Sequence, residues 1–272
     1  VKMKSFNNKV AAITGAGSGM GRALAKSLAS RGCHLGLADI NESALEETAK
    51  DCRNYNVDVT TYIVDVSNKD SVYTFADDAV RDHNRVNLVF NNAGVSLTDN
   101  VEHMTYQDFN WLMDINFWGV VYGSKAFLPH MQKVEEAHIV NTSSIFGTIA
   151  VPSQSAYNAS KFAVRGFTYA LRMELEKTHI NVSCVQPGGV KTNIVRDSRY
   201  VAPDNAAPTK EEITATFESM ANLTSDQAAE KILMGVIKNK AQILVGRDAM
   251  FIAILERLAP VLYQKLISRA FS

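Results

Sequence analysis

Metal-ligand spacing, an excess of one charge and long apolar runs are all missing from this 272-residue chain, and each absence removes a class of function. Its three cysteines (Cys33, Cys52 and Cys184) form no Cys-x-x-Cys pair and no even framework. That argues against a disulfide scaffold and for reduced thiols in a cytoplasmic protein. The six histidines are scattered, so no metal site is expected. Basic and acidic residues balance at 28 each, which leaves no net field to draw nucleic acid. No run reaches the length of a membrane span, and the stretch from Val1 to Phe6 has no apolar core of a secretory signal. Linkers, repeats and low-complexity segments are absent too. With 46% apolar residues available for a large core, one domain over 1–272 is the expectation.

What is present is a rhythm. Short β-branched or alanine-rich runs at 10–14, 35–39, 60–64, 86–90, 138–142, 180–185 and 242–245 read as seven strands. Helical stretches at 18–31, 41–54, 105–133, 154–177 and 224–238 alternate with them, and Ser67-Asn-Lys-Asp70 has the form of a capping box that starts one more. Such alternation predicts an α/β fold, a doubly wound parallel seven-stranded sheet with helices on both faces. Its ligand belongs at the carboxyl ends of the strands.

The motifs fall at those ends. Thr14-Gly-Ala-Gly-Ser-Gly-Met-Gly21 follows the first strand and opens a helix. Gly15, Gly19 and Gly21, with Ser18 and Met20 between them, suit a tight turn that brings backbone N–H groups and a helix N-terminus to a pyrophosphate. Asp39 ends the second strand, where a carboxylate accepts hydrogen bonds from adenosine ribose hydroxyls and repels a 2′-phosphate. Neither Ser18 nor Ile40 supplies a compensating cation, so NAD is favoured over NADP; the duller reading of Asp39 is an N-cap. Tyr157 and Lys161 stand at i,i+4, which places their Cβ atoms roughly 5–6 Å apart on one helix face. The ammonium favours tyrosinate and moves a phenol of reference pKa about 10 toward working pH. A phenol so tuned suits proton exchange with an alcohol or carbonyl. Tyrosine–lysine pairs at this spacing are common on solvated helices; Ser144, thirteen residues upstream of Tyr157, and the glycine loop give this one its weight.

In this order the motifs resemble those of the short-chain dehydrogenases/reductases, in their compact single-domain branch, over about residues 8–246. The resemblance implies a Rossmann-type fold and a role for each matching residue. Asn91-Asn-Ala-Gly94 supports the central sheet and brings Asn92, Ala93 and Gly94 near the adenine side of the cofactor. Asp65, with Val66 beside it, meets the adenine ring. Asn116 holds a water that links Lys161 to solvent. Ser144, rather than Ser143, binds the substrate oxygen, Tyr157 exchanges its proton, and Lys161 also binds the nicotinamide ribose. In Pro187-Gly-Gly-Val-Lys-Thr192, Pro187 and Gly188 form the turn, while the Val190 backbone and the Thr192 hydroxyl hold the carboxamide. Ser144, Phe146, Gln154 and Tyr157 contact substrate, within a mainly apolar wall that includes Leu97, Ile145, Val151 and Ile194. Residues 193–223 look like a mobile substrate-covering loop, whose Arg196 and Arg199 have no fixed direction. The extension 247–272, broken at Pro260, would pack on a neighbouring subunit or over the pocket, with a peripheral membrane contact as the other option.

The implied activity is NAD-dependent hydride transfer between nicotinamide and a moderately hydrophobic alcohol or ketone. A 3-oxoacyl-thioester reductase and a non-catalytic NAD(H)-sensing protein are the alternatives. Helices around 113–121 and around Phe162, Phe167 and Met173 are apolar on more faces than one sheet can cover, so a homodimer or homotetramer is expected.

Overall fold

Because successive side chains in a strand point to opposite faces, a strand covered on both sides must be apolar throughout. β1 (Val10–Thr14) is such a strand, buried at every position. Ala11 and Ile13 enter one core and Val10 and Ala12 the other. The computed structural model describes residues 3–201 and 209–270. In it β1 lies inside a parallel sheet with β2 (His34–Asp39), β3 (Val59–Ile63), β4 (Leu88–Asn91), β6 (Ala137–Thr142), β7 (Ile180–Pro187) and β9 (Gln242–Val245). The order is β3-β2-β1-β4-β6-β7-β9. β5 (Leu97–Thr98) and β8 (Arg199–Tyr200) pair separately, a small ladder too short to show as a sequence pattern.

Leucines and alanines of α1 (Gly19–Ala29), α2 (Glu42–Arg53) and α8 (Ser225–Ile237) close one face of the large sheet. α3 (Lys69–His83), α5 (Gly119–Met131) and α6 (Ser155–Glu174) close the other. α4 (Tyr106–Met113), α7 (Lys210–Met220), α9 (Arg247–Leu258) and α10 (Leu262–Ala270) lie around the carboxyl end of the sheet or beyond it. The doubly wound expectation is therefore met. The winding reverses between β1 and β4, and a crevice opens above their carboxyl ends. Among the described residues no helix is long and apolar enough to cross a membrane.

Three local expectations are corrected. The cap of α3 is Asn68, whose side chain accepts from the Ser71 N–H, because the Ser67 hydroxyl is spent on Asp65 at 2.7 Å. The helix expected at 105–133 is interrupted by a π turn, Asp114–Trp118, which aims Asn116 inward. The helix expected at 154–177 stops at Glu174. Of the loop at 193–223, residues 202–208 lie outside the described residues.

Polar side chains weld the sheet to its helices. Asn91 donates to Asn141 at 2.8 Å and to Ser124 at 3.2 Å, and Asn141 donates to Thr168 at 3.1 Å. This network passes from β4 through β6 to α5 and α6, and its closeness requires Gly123. An added Cβ there would fall 2.0 Å from Asn91 Oδ1. Gly123→Ala is expected to lose about 1–3 kcal/mol in urea unfolding, the usual cost of overpacking.

Candidate active site

The glycine loop rests on the segment that follows β4. Thr14 Oγ1 accepts the N–H groups of Asn92 at 3.0 Å and Ala93 at 3.1 Å, and Asn92 Nδ2 donates to the Thr14 carbonyl at 3.1 Å. Gly15 takes φ +67° there, and an added Cβ would lie 2.9 Å from the Ala93 Cα. Ser18 occupies the N-cap of α1 without making a side-chain cap bond, so the first-turn N–H groups stay available to an anion. Asp39 Oδ2 accepts from Gly17 N at 2.8 Å and Oδ1 from Asn41 N at 3.0 Å. Asn41 itself caps α2, which removes the dull reading of Asp39.

These groups bound a cleft of about 300 Å³, lined by Gly15, Ser18, Gly19, Met20 and Asp39 on one side. Asp65, Val66, Asn92, Ala93, Gly94 and Thr192 complete it. Pro187, Gly188 and Val190 are not on its surface, nor is Gly21, whose place is structural: an added Cβ would fall 2.0 Å from the Gly15 carbonyl oxygen. A dinucleotide suits the donor set. Open helix N–H groups face the position of a pyrophosphate, Asp39 faces that of a ribose, and the buried Asn92 Oδ1 has no protein donor. Sequence reasoning missed Gly17, Ile40, Val95, Ile115, Asn193 and Asp197. Gly17 was visible inside the loop, while Ile40 and Val95 follow strands, Ile115 lies in the π turn and Asn193 and Asp197 lie just after Thr192, none of them in a motif.

Asn116, Ser144, Tyr157 and Lys161 converge beside the cleft. Gly94 sits between two of them: its missing Cβ would lie 3.1 Å from Asn116 Oδ1 and 3.3 Å from Lys161 Nζ. Fully buried, Asn116 accepts from Val95 N at 2.8 Å and donates to Val95 O at 2.9 Å and Ser160 Oγ at 3.3 Å. Its amide is thus a brace on the cleft wall, with its hydrogens committed to protein. Ser143 is structural, donating to the Lys161 carbonyl at 2.7 Å. Ser144 caps a short 3₁₀ turn through Phe146 N at 3.1 Å and is the hydroxyl that hydrogen-bonds the Tyr157 phenol.

Electrostatics here differ from the expectation that Lys161 lowers Tyr157. Burial drives the phenol up to about 12 against the opposing pull of the Ser144 hydrogen bond. Burial likewise holds the Lys161 ammonium down at about 8. Nζ lies 5.6 Å from the Tyr157 ring centroid and donates to the Thr142 carbonyl at 3.2 Å. The apolar enclosure, invisible in an i,i+4 spacing, sets the direction of both shifts. Phe146 packs edge-on against Tyr157 with 6.1 Å between ring centroids, and Gln154 donates to Thr98 at 2.6 Å.

Known proteins agree with this geometry. The family model for short chain dehydrogenases matches residues 9–201. The chain is 42% identical to the oxidoreductase SadH of Mycobacterium tuberculosis, over 98% of its own length and 96% of that protein's. It is 30% identical to human estradiol 17-beta-dehydrogenase 11, over 100% of this chain and 86% of that one. A short-chain dehydrogenase/reductase from Burkholderia phymatum, solved in complex with NAD, superposes with a TM-score of 0.85 at 34% identity, covering 96% of this chain and 97% of the other. With the glycine loop, the winding reversal and the Ser–Tyr–Lys cluster in one place, this chain belongs to the short-chain dehydrogenase/reductase family of oxidoreductases.

Proposed function

We propose that the chain is an NAD-dependent alcohol dehydrogenase or ketone reductase acting in the cytoplasm on a moderately hydrophobic substrate. The observation that carries this reading is the Tyr157 phenol, hydrogen-bonded by Ser144, beside a dinucleotide-shaped cleft in which Gly94 alone separates Asn116 from Lys161. A bound nicotinamide supplies the hydride acceptor in oxidation and the donor in reduction. In reduction the protonated Tyr157 Oη gives its proton to the carbonyl oxygen; in oxidation the phenol first loses its proton to solvent and then takes that of the substrate hydroxyl. Ser144 Oγ donates to the same oxygen and stabilises it as charge develops. Lys161 places a positive charge near the phenol, with its Nζ 5.6 Å from the ring centroid. Asn116 holds the Val95 backbone, and with it the wall that Lys161 faces.

Substrate polarity is read from the surroundings. Leu97, Leu112, Phe109, Trp111, Phe146 and Ile194 pack with Tyr157 into one apolar cluster. Arg199 covers the Trp111 ring at 3.7 Å with its charge paired to Asp108 at 2.6 Å, while Arg196 pairs with Asp197, so both cations are already matched by carboxylates. A neutral alcohol or ketone is therefore favoured over a phosphorylated or carboxylate substrate. For the cofactor, the Asp39 carboxylate faces the cleft, and the nearby Arg22 is spent on Gly17 O at 2.7 Å, Ala44 O at 3.2 Å and Glu47 at 3.2 Å. That supports NAD over NADP. Buried free thiols support a reducing compartment. Trp118, Phe162 and Met173 stand exposed on the helices expected to be buried twice, which supports a homo-oligomer.

Secondary alcohols offered with NAD and followed at the NADH absorbance test the reading. Tyr157→Phe should leave NADH binding near wild type and lower turnover by about 10²-fold or more. Retention of more than about a tenth of turnover would remove Tyr157 from its role. Asp39→Ala should narrow the NAD-over-NADP preference in KM, whereas a wild type that works better with NADPH would overturn the assignment. Lys161 gives a prediction in the cofactor-free protein. Between about 8, its folded value, and 10.5, its ordinary one, the unfolded chain binds a proton that the folded chain does not, so stability rises with pH across that window. Below it the buried charge costs roughly 3 kcal/mol in full. Lys161→Met should accordingly melt above wild type at pH 7, with the gap closing toward pH 10.5. A wild type that melts at or above the variant at pH 7 would show that the buried charge is compensated.

A further inference from the structure

Beyond the segment that the family model matches, one carboxylate reaches back to the turn that follows β7. Asp248 lies in the first turn of α9, just after Gly246, whose φ is +123°. Its Oδ2 accepts the Gly189 N–H at 2.6 Å. Glycine is required on both sides of it: an added Cβ at Gly188 would fall 2.1 Å from Oδ2, and one at Gly246 would fall 2.1 Å from Oδ1. The carboxylate is thus wedged between two loops, at a helix N-terminus that favours its charge.

The turn it grips is held along its length. Gly188 N donates to Val245 O at 2.9 Å and Lys191 N to Leu223 O at 2.8 Å, while Val190 bridges to Leu223. Thr192 follows at once, lines the cleft and packs against the glycine loop, where an added Cβ on Gly19 would meet Thr192 Cγ2 at 3.4 Å. A shift of Gly189 is therefore carried to Val190 and Thr192. The opposite end of the cleft, at Asp39 and Asp65, is built on other strands and makes no contact with this turn.

We propose that Asp248 is a positioning residue for the nicotinamide end of the cofactor: by fixing the Gly189 amide it sets the placement of Thr192, the residue of this turn that lines the cleft. This rests on the dinucleotide reading of the cleft. A charge-assisted bond to a backbone N–H is among the stronger hydrogen bonds.

Two ligands separate positioning from general support, NADH and ADP-ribose, which lacks the nicotinamide. Asp248→Ala should raise the Kd for NADH, read by its fluorescence, about tenfold. The Kd for ADP-ribose, read by calorimetry, should stay at the wild-type value. Asp248→Asn keeps an acceptor for Gly189 and should return most of the NADH affinity. Should Asp248→Ala fail to fold, Asp248→Glu carries the same test, since its extra methylene has no room against Gly188 and displaces the turn. Equal weakening of both ligands, or of neither, overturns the proposal. A wild type that binds neither ligand would instead overturn the dinucleotide reading itself.

Discussion

The Thr14 hydroxyl joins β1 to the segment after β4 at the one place where the winding of the sheet reverses. A doubly wound sheet leaves a crevice there by topology, but a crevice alone fixes no atom positions. By accepting two successive N–H groups, Thr14 sets the height of Asn92 and Ala93 against the glycine loop. Gly94 then follows at a point where it can have no side chain, because Asn116 and Lys161 crowd it from the far side. Through this one hydroxyl, the loop that suits a pyrophosphate and the residues suited to proton exchange share a single frame.

That frame carries a cost. Tyr157 and Lys161 are both enclosed, and burial shifts each toward its neutral form, the phenol upward and the ammonium downward. An apolar cluster around a phenol stabilises the fold by area removed from water, yet the same enclosure makes an ionised phenol or a buried ammonium expensive. The hydrogen bonds from Ser144 to the phenol and from Lys161 to the Thr142 carbonyl offset only part of it. Enclosure moves the Tyr157 phenol further from neutral pH and the Lys161 ammonium closer to it, so of the two groups only Lys161 is brought toward the range where protons exchange readily.

The strands were legible in the sequence because burial on both faces forces unbroken apolar runs; Asp39 stood out at the end of such a run, and Tyr157 and Lys161 by lying one helical turn apart, thirteen residues and more after Ser144. What failed shares a different physics. The sign of the Tyr157 shift depends on enclosure by Phe146 and its neighbours, which arrive from distant segments. The cap of α3 moved from Ser67 to Asn68 because Asp65 competes for the serine hydroxyl, a contest that a four-residue pattern does not contain. β5 and β8 are two residues each and exist only because the chain around Arg199 folds back onto α4. Asp248 was silent because its partner is a backbone N–H, which every sequence position offers alike.

Asp248 also explains what the C-terminal helices contribute. α9 begins by gripping the turn after β7 and continues with Ile252 and Leu255 packed on Phe146, Ile149 and Val151, the loop that follows Ser144. Tyr263 of α10 is buried against the same loop, and its hydroxyl accepts the Ala150 N–H at 3.3 Å. The turn after β7 and the loop after Ser144 thus lean on one support. Substitutions on the inner face of α9 and α10 can reshape the apolar wall around Phe146 while Ser144, Tyr157 and Lys161 keep their places on the sheet and α6. Ser144, Tyr157 and Lys161 are thus held by the sheet and α6, while the apolar loop after Ser144 leans on an appended pair of helices.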